Sequence, residues 1–560
     1  MSSAPLLAHW PLRGDAQDCL GRHHGTAQQV TFGAGPSGSV GGAAVFNGRD
    51  SQIVVADAPE LRLSNPDFSI ALWVRCHKPM RGVFGDLLSK FDPTVRSGLN
   101  LSIAGSSPGY CAMSDTRHVH FGIDDGYFSG WVDCGKPWPS NSLINNLVAF
   151  NGALYAGIAD AANPEDAAHV FRWAGGTDWV DCGRLGSDPN HLAVMSLLVH
   201  DGKLYAGTGI WDWIRAQVGE AGQPRAAATR VFVYEGGTTW RDLGQVGDGS
   251  RLLTLASFQG ELYAGVDRIG QGRCFKLAGS QWIDCGAPDA DNLECLQPMG
   301  GALYAATHKR FFRYEGGQQW SQIGDQPHGV TQIHSLQVFG GQLYAGTWTQ
   351  GYVLRYEGNG NWANTGRLGI PEGLAEINEV MDLVVHNGKL YAGLIPKAQV
   401  YRYEADGQWT LLGSLASRPD YSDAVVASWN RITCFATHQG RLFAGTGACR
   451  GRTVDVDPAG TLGRVYAAQA GQMVSHEHDF GGDWTHLVAV RAGAQLRLYL
   501  NGRLAGTSTA PAGHCFDLSN TRPLWIGSGA QSSFDGAIAD VRLYGAVLTE
   551  PEIAQLQIHS

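Results

Sequence analysis

"HDGKLYAGT" runs from His200 to Thr208, and a near copy, "HNGKLYAGL", returns from His386 to Leu394. The shared phrase L-[YF]-A-[GA] begins at Leu154, Leu204, Leu262, Leu303, Leu343, Leu390 and Leu442, at spacings of 50, 58, 41, 40, 47 and 52 residues. A second phrase, W-x-x-x-G, falls around and between these copies, at Trp131, Trp179, Trp240, Trp282, Trp320, Trp362 and Trp409. Each unit reads as an apolar run, a tight Asp-Gly or Asn-Gly turn, the "LYAG" run, a variable stretch, a run such as "RVFVYEGG", and then the Trp run. Asn-Gly and Asp-Gly between apolar runs are hairpin signals, because both turn residues need positive φ. Four short strands in about 48 residues, repeated in this way, predict a seven-bladed β-propeller. The first Trp phrase, Gly130–Gly135, precedes every "LYAG", and the last "LYAG" copy lacks a Trp phrase after it. Trp131–Gly135 is therefore expected to be the outer strand of the seventh blade, closing the ring.

The 560 residues are too many for one core, so more than one domain is expected. The 76 Gly, 17 Trp and 18 Tyr, with few helix-forming runs, read as all-β. A formal charge of −10 argues against a general nucleic-acid or membrane-surface binder, and no apolar run is long enough for a membrane span. "MSSAPLLAHWPL" has no basic segment followed by an apolar one, so no signal peptide is read and a cytoplasmic location is the default expectation. The 11 Cys leave at least one unpaired. Cys134, Cys182 and Cys285 occupy one slot of the repeat on different units, so they read as small buried residues rather than disulfide partners.

The repeat is missing from both ends, and the ends carry a different pattern. "HWPLRGDAQDCLGRHHGTA", "AVFNGRDSQIVVADAPELRL" and "DFSIALWVR" lie before it; "DWTHLVAVRAGAQLRLYLNGRLAGT" and "LWIGSGAQSSFDGAIADVRLYGAVLTEPEIAQL" lie after it. Their alternation and Asn-Gly turns suit a β-sandwich. Together they resemble the two halves of a laminin-G-like, concanavalin-A-type jelly roll. The division expected is 1–126 for the first half, 127–471 for the propeller and 472–560 for the second half. The resemblance implies that Ca²⁺ could bind in the jelly roll, with Asp15, Asp18 and Asp535 in the segments concerned. "LTEPEIAQL" carries a Thr cap, an early Pro and a Glu three residues on, and reads as a short capped helix.

In a propeller, the loops entering the inner strands and those joining second to third strands share one face. The first set holds Asn145, Asn146, His191, Arg251, Glu294, Gln332, His334, Glu376, Glu379, Asn430 and Arg431. The second holds Asp160, Trp211, Trp213, Arg215, Asp267, Arg268, His308, Lys309, Arg310, Trp348, Lys397, Arg450 and Arg452. Trp faces stack on sugar rings, and Arg and Lys pair with carboxylates or sulfates, so a polysaccharide or oligosaccharide, and an anionic one in particular, is the expected partner. Trp211, Trp213, Trp348, Lys309, Arg310, Lys397 and Arg450 are the candidate substrate-binding residues. His191, His308 and His334 with Arg251 or Arg431 suit β-elimination from a uronate, whereas Glu294 with Glu376 or Glu379 would supply the two carboxylates of a glycoside hydrolase. Neither chemistry needs a cofactor. His118 and His120, like His476 and His478, are two apart and would share a strand face; four imidazoles at the junction could hold a transition metal. The reading is a carbohydrate-recognising protein and polysaccharide-degrading enzyme, lyase ahead of hydrolase. A non-catalytic lectin and an intracellular protein-interaction scaffold are the alternatives.

Overall fold

The computed structural model describes residues 4–105, 112–140, 143–160, 165–210, 228–267, 272–325, 329–370, 378–416, 430–448 and 463–558. Nearly all regular structure in it is β-strand, and the end of the chain forms one helix, Glu550–Ile558. Glu552 caps the start of that helix, its carboxylate accepting from the Thr549 N–H and from the Thr549 hydroxyl, each at 2.8 Å. Among the described residues no helix is long and apolar enough to cross a membrane.

The two ends of the chain interleave in a sandwich. One sheet runs through Thr31–Gly33, Ala43–Asn47, Asp535–Tyr544, Phe68–Cys76, Thr485–Ala492, Gln495–Leu500 and Arg503–Thr509, with Leu6–Trp10 paired along Asp535–Tyr544. The other runs through Gly25–Gln28, Gln52–Val55, Leu524–Ile526, Gly85–Asp92, Ser97–Ala104, His118–Phe128 and Ala470–His476. Each sheet takes strands from both sides of the repeat, so neither half can complete a sheet alone. The inward faces meet over one core that includes Trp10, Phe46, Phe68, Phe121, Leu498 and Phe516. Phe68 of the first sheet meets Phe121 of the second edge to face, with ring centroids 6.1 Å apart.

The repeat is inserted at the edge of the second sheet. Ala470–His476 pairs antiparallel with His118–Phe128, and Ala470 lies opposite Phe128. The chain therefore leaves and re-enters the sandwich at adjacent points, the condition under which a domain insertion costs the host little.

Among the described residues the inserted strands pair into seven four-stranded antiparallel units. The first is Leu143–Phe150, Ala153–Ala159, His169–Gly175 and Asp178–Arg184. The last is Asn430–His438, Arg441–Ala448 and Val465–Ala468, completed by Val132–Asp133 from the other end of the insertion. Cys134 N donates to Val465 O at 2.8 Å and Val465 N to Gly135 O at 3.0 Å, extending that pairing. The innermost strands close the ring, because Cys434 and Thr433 of the last unit hydrogen-bond to Ile144 O of the first. At the opposite edge, Trp Nε1 of one unit donates to the carbonyl of the unit before, as in Trp179 to Cys134, Trp240 to Cys182 and Trp320 to Cys285, at 2.8–2.9 Å.

The turn after each innermost strand has two residues at positive φ, as in Asn151-Gly152, Asp201-Gly202 and Asn387-Gly388. This is the type I′ geometry that Asn-Gly and Asp-Gly favour. These turns form the face that rests on the sandwich, and every unit contributes a contact. Gly152 N donates to Glu477 O at 3.1 Å, and Val199 N to Ser114 Oγ at 3.0 Å. Gln259 N donates to Met80 O at 2.7 Å, Gly301 N to Arg81 O at 2.7 Å and Gly340 N to Gln531 O at 2.6 Å. Asn387 Nδ2 donates to Ala470 O at 2.9 Å, and Gln439 N to Glu477 Oε1 at 2.5 Å. The other face of the ring points away from the sandwich.

Candidate functional site

The register of each innermost strand slips at one equivalent residue: Asn145, Met195, Leu253, Glu294, His334, Met381 and Thr433. A bulge re-aims its side chain, and here it does so once per unit near the open end of the ring. Leu143, Ala159, Ala193, Met195, Leu253, Met381 and Ile395 form one buried cluster. They come from the first, second, third and sixth units, so they can meet only at the axis. The axis is thus plugged by apolar side chains on one side. Polar side chains enter the same end of the ring from the third to seventh units, Arg251 and Asp267, Glu294 and His308, Gln332 and His334, Glu379, and Arg431, beside the Leu253, Met381 and Ile395 that the third and sixth units give to the apolar plug.

Asp267, Glu294, His334, Glu379 and Arg431 are buried, and Arg251, His308 and Gln332 are partly buried. Arg251 Nε donates to Asp267 Oδ2 at 2.7 Å. His308 Nε2 lies 2.6 Å from Glu294 Oε1, and its Nδ1 lies 3.4 Å from Asp291 Oδ1. His334 Nε2 lies 3.1 Å from Glu379 Oε1. Burial alone would raise the Glu294 carboxyl, but the hydrogen bond and charge of His308, followed by Arg251 and His334, outweigh it and hold Glu294 at about 2. Burial opposes the charge on His308, yet Glu294 and Asp291 raise its pKa above the usual imidazole value. Burial raises Asp267 despite Arg251, and the nearby Glu294 charge adds to that. The site therefore contains one imidazole whose charged form is favoured, His308, and one unit away a second imidazole oriented by a carboxylate, His334 on Glu379. Asp291, which steadies His308, was not singled out from the sequence; it sits in the loop just before the strand that carries Glu294.

The remaining candidates are dispersed. His191 lies in the loop before the second unit, with Nδ1 3.0 Å from Leu185 O and its ring edge on Phe232; burial lowers its pKa. It anchors that loop rather than joining the Glu294 group. Asn145 and Asn146 donate to Val194 O of the next unit at 2.7 Å and join neighbouring units. Trp348 lies opposite Gln332 at the strand end and is half-buried, and Lys397 forms a backbone bridge with Asn430. Lys309 is exposed, and Arg310 points to the rim, bonded to Asp289 and Asp325. Trp211, Trp213, Arg215, Arg268, Glu376, Arg450 and Arg452 lie outside the described residues.

The four junction histidines do not share a face. His120 lies opposite Ser475 and Val119 opposite His476, so the pleat turns His118 and His120 to one side and His476 to the other. His120 Nδ1 meets Ser475 Oγ at 2.8 Å, whereas His476 Nδ1 faces Ala505 O at 3.4 Å. His478 lies past the end of that strand, against the Gly152 turn. His118 and His120 instead line a cavity of about 80 Å³ between sandwich and propeller, together with His386. Among the described residues no three His, Cys, Asp or Glu side chains are gathered as a metal-ligand set. The three jelly-roll aspartates are engaged separately. Asp18 accepts the N–H groups of His9, Leu20, Arg22 and His23, Asp535 pairs with Arg81 and His77, and Asp15 caps Gln17 N.

A family model, Laminin_G_3, described as the Concanavalin A-like lectin/glucanases superfamily, matches residues 407–554. The match begins in the sixth unit of the ring and continues through the second half of the sandwich. No curated protein matches the chain. Among solved structures, the chain is similar to virginiamycin B lyase from Staphylococcus aureus, at 9% identity and TM-score 0.43, over 61% of this chain and 99% of that one. It is similar to the WD40 β-propeller domain of Doa1 at 8% identity and TM-score 0.37, over 61% and 96%. It is also similar to the extracellular domain of a hybrid two component system from B. thetaiotaomicron, at 15% identity and TM-score 0.42, where it spans only 39% of that chain. Likenesses of this size carry nothing about chemistry.

Proposed function

We propose that the open face of a seven-bladed propeller, inserted as 127–471 between the halves 1–126 and 472–560 of a jelly roll, is a carbohydrate site. On this reading the protein is a polysaccharide lyase acting on a uronate-containing glycan. The observation that carries the reading is the one-sided polar sector at the axis, in which two imidazole–carboxylate pairs stand on neighbouring units. β-Elimination needs a base for the proton at C5, a positive group for the uronate carboxylate and an acid for the leaving glycosidic oxygen. His334, oriented by Glu379, is the base. His308, whose charged form Glu294 and Asp291 favour, is the acid. Arg431, at the same level of the seventh unit, meets the carboxylate, and Arg251 holds its place through Asp267.

A glycoside hydrolase would need one carboxyl that stays protonated at working pH. Glu294 is held far on the ionised side, which favours the lyase over the hydrolase. Superfamily membership of the matched segment, described as lectins and glucanases, supports a glycan as the partner. The test is incubation of the full chain with neutral and uronic-acid polysaccharides, following both the ultraviolet absorbance of the unsaturated uronate and new reducing ends. Both signals rising together on a uronate polymer is the expected result. New reducing ends without the unsaturated product would overturn the lyase, and neither turnover nor binding on any glycan would overturn the carbohydrate reading.

A further inference from the structure

The third unit departs from the repeat at one buried pair. At the third-strand position opposite the Gly or Ala of "LYAG", the units carry Val170, Val231, Cys274, Phe311, Val353, Val400 and Val465. Three places after each Trp, the outer strands carry Cys134, Cys182, Leu243, Cys285, Ile323, Thr365 and Leu412. Only the third unit has cysteine in both places. The two are joined through the backbone, since Cys285 N donates to Cys274 O at 2.8 Å and Cys274 N to Gly286 O at 2.9 Å. Opposed residues of antiparallel strands have Cα atoms about 4.5–5.5 Å apart, within the span of a disulfide. Both cysteines are buried, and their thiols make long contacts to carbonyls of their own strands, Cys274 Sγ to Phe275 O at 3.9 Å and Cys285 Sγ to Ile283 O at 3.6 Å.

We propose that Cys274 and Cys285 are a dithiol that small two-electron oxidants such as hydrogen peroxide convert to a cross-strand disulfide, stapling the outer hairpin of the unit that presents Arg251 and Asp267. Packing alone is satisfied by Val at the first position, as five other units show, so the cysteine there is not needed to fill space. The neighbouring Cys274 lowers the Cys285 thiol below its ordinary value, whereas burial raises Cys274, so Cys285 is the nucleophile. The Cys285 sulfur attacks one peroxide oxygen, the O–O bond breaks, and a sulfenic acid forms as the first water leaves. The Cys274 sulfur then attacks the Cys285 sulfur and expels the sulfenic oxygen as a second water. The two thiol protons end on the departing oxygens, and two electrons pass from sulfur to peroxide.

The experiment uses the full chain, reduced and then exposed to peroxide, with peptides mapped after alkylation under denaturing conditions. The exposed Cys19 and Cys515 report that the oxidant dose was sufficient. The expected result is a linked peptide joining Cys274 to Cys285, two hydrogens lighter than the reduced pair, with the loss of two titratable thiols that dithiothreitol restores. Cys274→Val, which installs the residue of the other units, is expected to keep the fold and lose the linked peptide. Recovery of both cysteines alkylated while Cys19 and Cys515 are oxidised would overturn the proposal, as would their linkage to other cysteines.

Discussion

Burial decides what the ionisable side chains of this protein can do, and residues of one type end in opposite states because of it. Glu294 is buried yet ionised because His308, Arg251 and His334 surround it. Asp382 is buried with only backbone N–H groups for company, those of Phe435 at 2.9 Å and Leu383 at 3.0 Å, and its pKa is pushed up to about 8. The folded protein therefore binds a proton on Asp382 that the unfolded chain releases near pH 4, so stability from this site falls as pH rises from about 4 to about 8. Asp382→Asn keeps an acceptor for Phe435 N and removes the titration. We expect the variant to gain on the native protein by up to about 1.4 kcal/mol per pH unit between pH 5 and pH 8, read from denaturant midpoints. A difference independent of pH would show that Asp382 is ionised in the fold. None of this was legible in the sequence, where Asp382 is one acid in an apolar run and its partner is 53 residues away.

At the scale of strands and turns, much more was legible. The "LYAG" runs, the Trp runs and the Asn-Gly turns are set by local backbone geometry, and a repeat states that geometry several times over. What the turns do was not legible, because docking uses their backbone N–H groups and partners from remote parts of the chain. The His before the turn, His200 or His386, looked like part of the repeated phrase, and His438 holds the same place in the last unit. In the fold each is buried at the seam, bonded to Ser257, Thr437 and Glu477 respectively. Burial, with the charges of His120 and Arg96 adding to it, pushes His386 down to about 3, and burial likewise holds His118 at about 3 and His120 at about 4. Here the sign is reversed. The unfolded chain takes up protons near pH 6.5 that the folded seam refuses, so stability is lost as pH falls from about 6.5 towards 3. His386→Gln retains a hydrogen-bonding side chain and does not titrate. Between pH 7 and pH 5 the native protein is expected to lose about 2 kcal/mol more than this variant, because acids such as Asp86 and Asp382 titrate in both and cancel. Equal losses in thermal or denaturant melts would mean that the seam admits a charged imidazole.

For the whole molecule, the order of the chain explains the placement of the site. A sandwich that takes strands from both termini holds the ends of the inserted ring side by side, and the ring rests its short-turn face on that sandwich through every unit. The strand ends that carry the polar side chains are left on the free face, beside the apolar plug of the axis. Residues entering the inner strands were readable as one set, and of them Arg251, Glu294, His334 and Glu379 lie near one another. Which of them pair was not readable, because pairing depends on a bulge that repeats by position while its residue changes from Asn145 to Met195 to Glu294. The facing of the junction histidines was not legible for a similar reason, since the register between their strands turns His118 and His120 to one side and His476 to the other. The central claim is that the polar sector performs proton transfer on a uronate glycan, and the most direct measurement is the rate of unsaturated product formed by His334→Gln beside the native protein. The account predicts a loss of at least about 100-fold with an unchanged melting profile; turnover by the variant at the native rate would contradict it.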